Sequence, residues 1–121
     1  MKKLILVFAL ALPLFGTAQI SNAFRAGNYL ESSRYLGNIV RLNWMGEESQ
    51  TSSLEVTNKL KELFEICEVE NFRVIHNGES DSGLQYAMGE LYCEEGEYAI
   101  TYYYTTKNAT EIIEELKKKK K

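Results

Sequence analysis

The chain has little of what most enzymes and metalloproteins use. Its 121 residues include one His, one Trp, one Pro and two Cys. One His and two Cys are too few ligands for a structural zinc site, and the spacing of Cys67 and Cys93 fits no zinc pattern. No Ser-His-Asp arrangement stands out either. We therefore predict no metal and no cofactor, and we assign no catalytic residue. Enzymatic activity stays open, with a non-enzyme favoured.

Basic side chains are scarce outside the two ends of the chain. The sequence has 14 Lys and Arg against 17 Asp and Glu, a net charge of −3. Without Lys2 and Lys3 the net charge is −5, and the body before Lys117–Lys121 alone carries −10. An acidic body argues against nucleic-acid binding, which needs a basic surface. Residues 117–121 are predicted to be a solvated, frayed tail, with contact to an anionic surface as the alternative.

Long apolar runs are absent after the first fifteen residues. Lys2 and Lys3 precede an apolar run over 4–15, and small residues follow at 16–18. This order is typical of a cleavable secretory signal, and the run is too short for a membrane-spanning helix. We predict a signal over 1–18, cleavage after Ala18, and a periplasmic or secreted mature chain that does not span the membrane.

The mature chain begins with two short helical patterns. Residues 19–27 form an amphipathic segment that ends at Gly27. Asn28 followed by Glu31 resembles a capping box and opens a second helix. The side chains expected to face inward from that second helix are Tyr29, Leu30 and Leu36.

A third and longer helix is predicted over 53–67. Ser52 and Glu55 have the spacing of a capping box, and apolar residues then recur with helical periodicity up to Cys67. The acidic side chains of this helix lie off the apolar face, so we interpret them as a solvated surface.

The remaining segments alternate apolar and polar residues, as strands with one buried face do. The predicted strands are 39–45, 72–77, 84–93 and 97–106. Residues 46–50 are predicted to be a polar turn, and 110–116 can be read as helix or strand. Helices followed by a meander indicate an α+β fold, in which N-terminal helices pack on a curved antiparallel sheet of four to five strands. We predict one domain over 19–116.

Several turn and strand motifs resemble a known family. They are Thr17-Ala18-Gln19, Ala26-Gly27-Asn28, the run 72–80, the run 85–91 and Gly96-Glu97-Tyr98. On these motifs the chain resembles an uncharacterised family of small exported proteins found mostly in Bacteroidetes. The order of elements resembles the cystatin-like, nuclear-transport-factor-like (NTF2-like) superfamily of cone-shaped domains. The resemblance implies a fold and a compartment, and it implies no activity.

The two cysteines can form one disulfide in an oxidising compartment. If strands 72–77 and 84–92 form a hairpin, position 67 lies close to about position 94. Cys67 and Cys93 are therefore predicted to approach each other. Two separate buried thiols remain the alternative.

Tyrosine is abundant, with eight residues in the chain. Trp44, Tyr86, Tyr102 and Tyr104 are candidates to line a ligand pocket between helices and sheet. Alternatively, these side chains only reflect the preference of strands for Tyr, or an exposed row of them forms a protein-binding face. His76, beside a predicted turn, is interpreted as a structural polar residue because no partner for catalysis is evident.

Three functional hypotheses follow. The favoured one is a non-enzymatic module that binds a small apolar ligand or a protein partner. The second is an enzyme with an acidic residue and Tyr in a cone pocket, which requires a buried carboxylate. The third is a structural protein of the cell envelope.

Overall fold

The computed structural model describes residues 18–121, so the signal predicted over 1–18 lies outside the described part except for Ala18. The chain forms three helices and six strands within that range. In chain order they are α1 (Gln19–Ala26), α2 (Tyr29–Ser33), β1 (Leu36–Trp44), β2 (Glu47–Ser52), α3 (Ser53–Ile66), β3 (Val69–Glu79), β4 (Gln85–Cys93), β5 (Gly96–Lys107) and β6 (Thr110–Lys120).

The helix starts and stops follow the local signals in the sequence. The Asn28 side chain accepts a hydrogen bond from the Glu31 amide at 3.0 Å, and α1 ends at Gly27 in the left-handed region. The Ser52 hydroxyl accepts from the Glu55 amide at 3.3 Å and starts α3. Each contact satisfies a donor that the first turn of a helix leaves unpaired. The three predicted helices are confirmed in place, but α2 ends at Ser33 and Leu30 is exposed. The expectation that Leu36 belongs to this helix is wrong, because Leu36 begins β1.

The six strands form one mixed sheet in the order β2-β1-β6-β5-β4-β3. All neighbouring pairs are antiparallel except β1 and β6, which run parallel. The helices pack on one face of this sheet. The α+β prediction is therefore confirmed, with two corrections: the sheet has more strands than the four to five expected, and it is not purely antiparallel.

Two strands that the sequence did not clearly predict, β2 and β6, account for these corrections. The predicted turn over 46–50 is wrong, because residues 47–52 form β2 along the edge of the sheet. An edge strand with almost no buried side chain has no apolar alternation to reveal it. The ambiguous segment 110–116 is strand, and it is part of β6.

Aromatic side chains fill the space between the helices and the sheet. The fully buried Phe24 ring of α1 packs edge-on against Phe72 at 5.3 Å and Tyr102 at 5.6 Å, measured between ring centroids. The Phe72 ring lies over Gly89, where a Cβ atom would collide with it. The interior of the cone is thus closed around Phe24, in an arrangement that stabilises the fold by edge-to-face contact and burial.

The C-terminal lysines do not form a frayed tail. Lys117 to Lys120 continue β6 and pair with β5, and Lys118 is 6% exposed. The Lys118 ammonium lies 4.6 Å from the Trp44 ring centroid and 4.5 Å from that of Tyr98. Burial, followed by the charge of Lys59, lowers the pKa of Lys118, and Glu62 opposes that shift. The prediction of a solvated tail is wrong here because alternation along β6 points Lys118 to the helix side of the sheet, where two rings receive its cation.

We predict that this lysine contributes to stability through both its stem and its cation. Lys118→Ala should lower the free energy of unfolding by about 1–2 kcal/mol, and Lys118→Met, which keeps the packing, by less than half of that. The exposed neighbour provides the control, because Lys119→Ala should stay within about 0.5 kcal/mol of wild type. Urea unfolding measures all three. Equal losses for Lys118→Ala and Lys119→Ala would contradict a buried role for Lys118.

Candidate functional site

The sheet face turned away from the helices carries a row of solvent-accessible side chains. We call it the outer face and define it by Tyr86, Met88, Thr101, Tyr103 and Lys117. Strand alternation sets this face, since neighbouring residues on the same strands are buried under the helices. Register then aligns the members: Tyr86 pairs with Tyr103, and Met88 pairs with Thr101, which pairs with Lys117.

Aromatic rings run across three strands of the outer face. The His76 Nε2 atom lies 3.0 Å from the Tyr86 hydroxyl, and the two ring centroids are 5.6 Å apart. The Tyr86 and Tyr103 ring centroids are 5.7 Å apart, and the Lys117 ammonium lies 5.5 Å from the Tyr103 ring centroid. His76, which lies within β3, therefore anchors Tyr86 of β4 by a hydrogen bond. The result is an ordered strip of rings with a cation at one end.

A groove of about 320 Å³ lies beside this strip. It is lined by Asn43, Met88, Ala99, Thr101 and residues 117–119. The Lys118 ammonium lies on the helix side of the sheet, so the basic side chains at the groove are Lys117 and Lys119. The groove thus combines an apolar floor with basic walls. This groove lies on a domain whose residues before Lys117 carry a strongly negative net charge.

One edge of the outer face is organised by a charged network. Glu90 bonds to the Lys121 ammonium and to the Tyr92 hydroxyl, and the Arg73 guanidinium lies 3.7 Å from the same carboxylate. The hydrogen bonds from Lys121 and then Tyr92 lower the pKa of Glu90. This network ties Lys121, which follows β6, across β5 to Glu90 of β4. It keeps Glu90 ionised, and the surrounding cations already match its charge.

The four predicted pocket residues do not come together. Tyr102 and Tyr104 lie on the helix side of β5 with ring centroids 5.6 Å apart. Trp44 is also on that side. It pairs with Lys118 of β6, which in turn pairs with Ile100 of β5, four positions before Tyr104. Tyr86 lies on the outer face. The pocket was predicted from residue type alone, whereas the alternation of each strand decides which side of the sheet a ring faces.

A buried carboxylate, which the sequence interpretation missed, lies between α1 and β6. Glu111 is 2% exposed, and its Oε1 atom accepts a hydrogen bond from the Ile20 amide at 3.0 Å. Its Oε2 atom is buried and has no hydrogen-bond partner among residues 18–121. The alternation of Glu111 with buried Ile113 was the available signal, but it required knowing that this segment is a strand.

Burial changes the titration of this region. It raises the pKa of Glu111 to about 7, although the hydrogen bond from Ile20 opposes the shift. Tyr102 and Tyr104 face Glu111, and their pKa values are raised first by burial and then by the Glu111 charge. A carboxyl group beside neutral phenols can accept or release a proton near neutral pH.

Cys67 and Cys93 are joined in a disulfide at the far end of the sheet from Glu111. Their Cα atoms are 5.1 Å apart, and Val69 pairs with Cys93 at the start of β3. The bond ties the end of α3 to the end of β4. A groove of about 330 Å³ runs beside it, with Ile66 and Tyr98 among its walls.

Comparison with known proteins identifies the family of the chain. Residues 17–118 match the profile of a domain of unknown function, DUF4783. The chain belongs to this family. A DUF4783 family protein of Bacteroides fragilis has a crystal structure with a TM-score of 0.77 to this chain at 24% identity, covering 85% of this chain and 96% of that one. No curated protein matches the chain.

Two more distant structures place the DUF4783 domain in a wider fold group. A protein with a cystatin-like fold from Nostoc punctiforme has a TM-score of 0.61 at 13% identity and covers 95% of this chain and 79% of that one. An NTF2-like protein of unknown function from Cytophaga hutchinsonii has a TM-score of 0.58 at 14% identity and covers 100% of this chain and 95% of that one. The predicted resemblance to a family of unknown function from Bacteroidetes and to the cystatin-like, NTF2-like fold is confirmed. At these identities the likeness concerns the fold alone.

Two further observations apply to the described part of the DUF4783 chain. Within residues 18–121 no helix has the length and apolar character needed to cross a bilayer. In the same range no three His, Cys, Asp or Glu side chains are grouped as metal ligands would be.

Proposed function

We propose that this DUF4783 protein is an exported, non-enzymatic binding module that binds an acidic protein segment on its outer face. The single observation that carries the proposal is the ordered strip of Tyr86 and Tyr103 beside a groove whose basic side chains are Lys117 and Lys119. Rings held in place by neighbours and hydrogen bonds lose little conformational entropy on binding, which is why tyrosine is common in protein interfaces.

Charge selects the partner. The groove walls are basic, while the body before Lys117 carries a net charge of −10. An acidic segment is attracted to the groove, and a basic one would be drawn to the rest of the surface instead. The exposed Met88, with 41% of its surface accessible, offers an apolar contact within reach of the same segment. The partner we expect therefore mixes acidic and apolar side chains.

A small apolar ligand inside the cone is a weaker candidate. The cone interior is occupied by Phe24, Phe72 and Tyr102 rings in mutual contact. A ligand would have to displace these rings, at a cost comparable to removing one of them from the core. The outer face needs no such rearrangement.

Export is supported by the N-terminal pattern over 1–18 and by the disulfide between Cys67 and Cys93, which is typical of oxidising compartments. Fractionation of cells that express the full chain, with N-terminal sequencing of the product, tests it. A full-length cytoplasmic product would contradict export.

Binding is tested with synthetic peptides of defined charge. A labelled peptide that alternates Asp or Glu with Leu and Tyr should bind, and a peptide with Lys in place of the acids should not. Lys117→Glu should weaken binding about five- to tenfold, corresponding to about 1 kcal/mol of lost charge attraction. Tyr103→Ala should weaken it by a similar factor. Fluorescence anisotropy at low and high salt measures the affinities, and salt should weaken the interaction.

The matched control is Lys107→Glu, which makes the same charge reversal at an exposed position in the β5–β6 turn region. It should leave binding within about twofold, because its charge is more than a Debye length of about 10 Å along the strand from Lys117. Equal weakening by both reversals would contradict a site on the outer face. A dimer in sedimentation that Tyr103→Ala abolishes would also overturn the proposal, since the face would then bind a second copy.

The buried Glu111 beside Tyr102 and Tyr104 favours a second candidate, an enzyme with an acidic group in the cone. This candidate requires that solvent and substrate reach the carboxylate. Treatment of the native protein with a carbodiimide and an amine tests access, and the exposed Glu114 on the same strand is the internal control. Labelling of Glu114 without Glu111 would count against the enzyme; labelling of both would support it.

A further inference from the structure

One oxygen of the Glu111 carboxylate lacks a hydrogen-bond partner among the described residues. Oε1 is occupied by the Ile20 amide, whereas Oε2 is buried and lacks a hydrogen bond from any residue of 18–121. A buried ionised oxygen without a partner is costly, and folded proteins rarely keep one. The side chain is 2% exposed, so bulk water does not solvate it. Some donor that the described chain lacks is expected at this position.

The position of that oxygen is informative. Glu111 lies at the N-terminal end of α1, and Ile20 is the second residue of the helix. The residue before Ile20 is held firmly: the Gln19 Oε1 atom accepts from the Glu111 amide at 2.9 Å, and its Nε2 atom donates to the Ala109 carbonyl at 3.0 Å. The backbone nitrogen of Gln19 is therefore fixed one residue from the nitrogen that already binds the carboxylate.

We propose that the missing partner is the mature amino terminus, so that the Gln19 α-ammonium pairs with Glu111 Oε2. This inference rests on the proposed export. Cleavage hydrolyses the peptide bond between Ala18 and Gln19 with one water molecule, leaving the carboxylate on Ala18 and an amine on Gln19. The amine takes up a proton at neutral pH, since the pKa of an α-amino group is about 8. Attack of this amine on the Gln19 side-chain amide, with loss of ammonia, would remove the charge. The hydrogen bonds from the Glu111 amide and to the Ala109 carbonyl hold that side-chain amide in place and oppose this cyclisation. In the uncleaved chain the backbone nitrogen of Gln19 is an uncharged amide.

The electrostatics of the helix end require such an arrangement. A positive charge at the N-terminus of a helix opposes the helix dipole, unless a carboxylate lies beside it. Cleavage also removes the Ala18 carbonyl, which accepts from the Asn22 amide at 2.9 Å and the Ser21 hydroxyl at 3.1 Å. The ion pair with Glu111 compensates for that loss and fastens α1 to the start of β6. Processing thus converts an unpaired buried carboxylate into a salt bridge.

The pairing predicts different titrations before and after cleavage. In the uncleaved chain the Glu111 pKa of about 7 exceeds its unfolded value, so stability is greatest at acid pH and falls as pH rises through 7. In the mature chain the ammonium should bring the Glu111 pKa below its ordinary value of about 4.3 and raise its own pKa above 8. Stability should then hold up to pH 8 and decline above it. Tyr102 and Tyr104 also face Glu111, but their raised pKa values keep them neutral over this range.

Four proteins test the inference: the mature chain starting at Gln19 and a chain extended by several residues before Ala18, each with Glu111 and with Glu111→Gln. The Glu111 carboxyl is titrated by carbon NMR, and the melting temperature is measured from pH 5 to 9. With Glu111 at pH 7.5, the mature chain should melt several degrees above the extended chain, about 4–8 °C for each kcal/mol gained. Glu111→Gln should remove most of that difference while keeping the shape of the side chain.

The outcomes separate this inference from the proposed export. Identical Glu111 titrations in the mature and extended chains, or a melting difference that survives Glu111→Gln, would overturn the pairing alone. A mature chain whose mass shows an N-terminal Gln19 cyclised with loss of ammonia would overturn it as well. Cells that process the chain anywhere other than after Ala18, or not at all, would overturn the pairing and the cleavage step of export together. Cleavage after Ala18 with a low Glu111 pKa supports both.

Discussion

Phe24→Ala is expected to lower the free energy of unfolding by about 3–5 kcal/mol. Phe24 is fully buried and makes edge-on contacts with Phe72 and Tyr102 at 5.3 and 5.6 Å between ring centroids. The substitution removes the ring's apolar burial and leaves a cavity that the neighbouring rings cannot fill by small movements. Chemical denaturation of the two proteins measures the loss, which is a large share of the 5–15 kcal/mol of a typical domain.

The same variant tests whether the cone can be turned into a ligand pocket. The cavity left by Phe24→Ala is lined by rings, so it should stay dry and bind benzene or indole, raising the melting temperature as the ligand is added. Wild type should show no such rise. Leu54→Ala is the control, because Leu54 is 68% exposed and its removal should cost less than about 0.5 kcal/mol.

Phe24→Leu keeps the test decisive if the alanine variant does not fold. It should retain most of the stability and open a smaller cavity. A loss for Phe24→Ala no greater than that for Leu54→Ala would contradict a closed cone. Thermal stabilisation of wild type by the same apolar ligands would contradict it as well, and would favour the cone over the outer face as the binding site.

Loss of the disulfide should have the second large effect, about 3 kcal/mol of stability. The bond closes a loop with a sequence separation of 26 and holds the end of α3 against the end of β4. Without the bond the unfolded chain has more conformations, and the segment between Cys67 and Cys93 is no longer closed into a loop. The double variant Cys67→Ala with Cys93→Ala avoids leaving one reactive thiol. Urea unfolding of the oxidised wild type and of the double variant measures the difference.

Reductant provides the matched control for the disulfide. It should destabilise wild type towards the level of the double variant and leave the double variant unchanged. Thiol titration of the denatured protein, purified without reductant, should find no free thiol. Two free thiols per chain would contradict the bond.

The helices and most strands could be predicted from the sequence because their signals come from neighbouring residues. The capping pairs Asn28–Glu31 and Ser52–Glu55 satisfy donors within three residues of the cap, so they act in the same way wherever the helix is placed. The period of α3 and the alternation of β4 and β5 likewise depend on neighbours in the sequence. The family resemblance rested on the same kind of turn and strand motifs.

The candidate site was harder to predict because each of its parts depends on partners distant in the chain. Glu111 bonds to Ile20, which lies 91 residues earlier, and Lys118 lies between Trp44 and Tyr98. From sequence alone these are ordinary charged residues of an acidic or basic segment. Their burial follows from the pairing of β6 with β1 and β5, which no local pattern specifies.

The sequence by itself determined the helices, their caps, four of the strands and the α+β class, because these follow from hydrogen bonds and side-chain periods between near neighbours. Only the tertiary structure decided that 47–52 is an edge strand, that β1 runs parallel to β6, and that Tyr86 and Tyr102 face opposite sides of the sheet. These features follow from strand register and the position of each strand in the sheet. They depend on contacts between distant segments, and the burial of Glu111 and Lys118 is their chemical consequence.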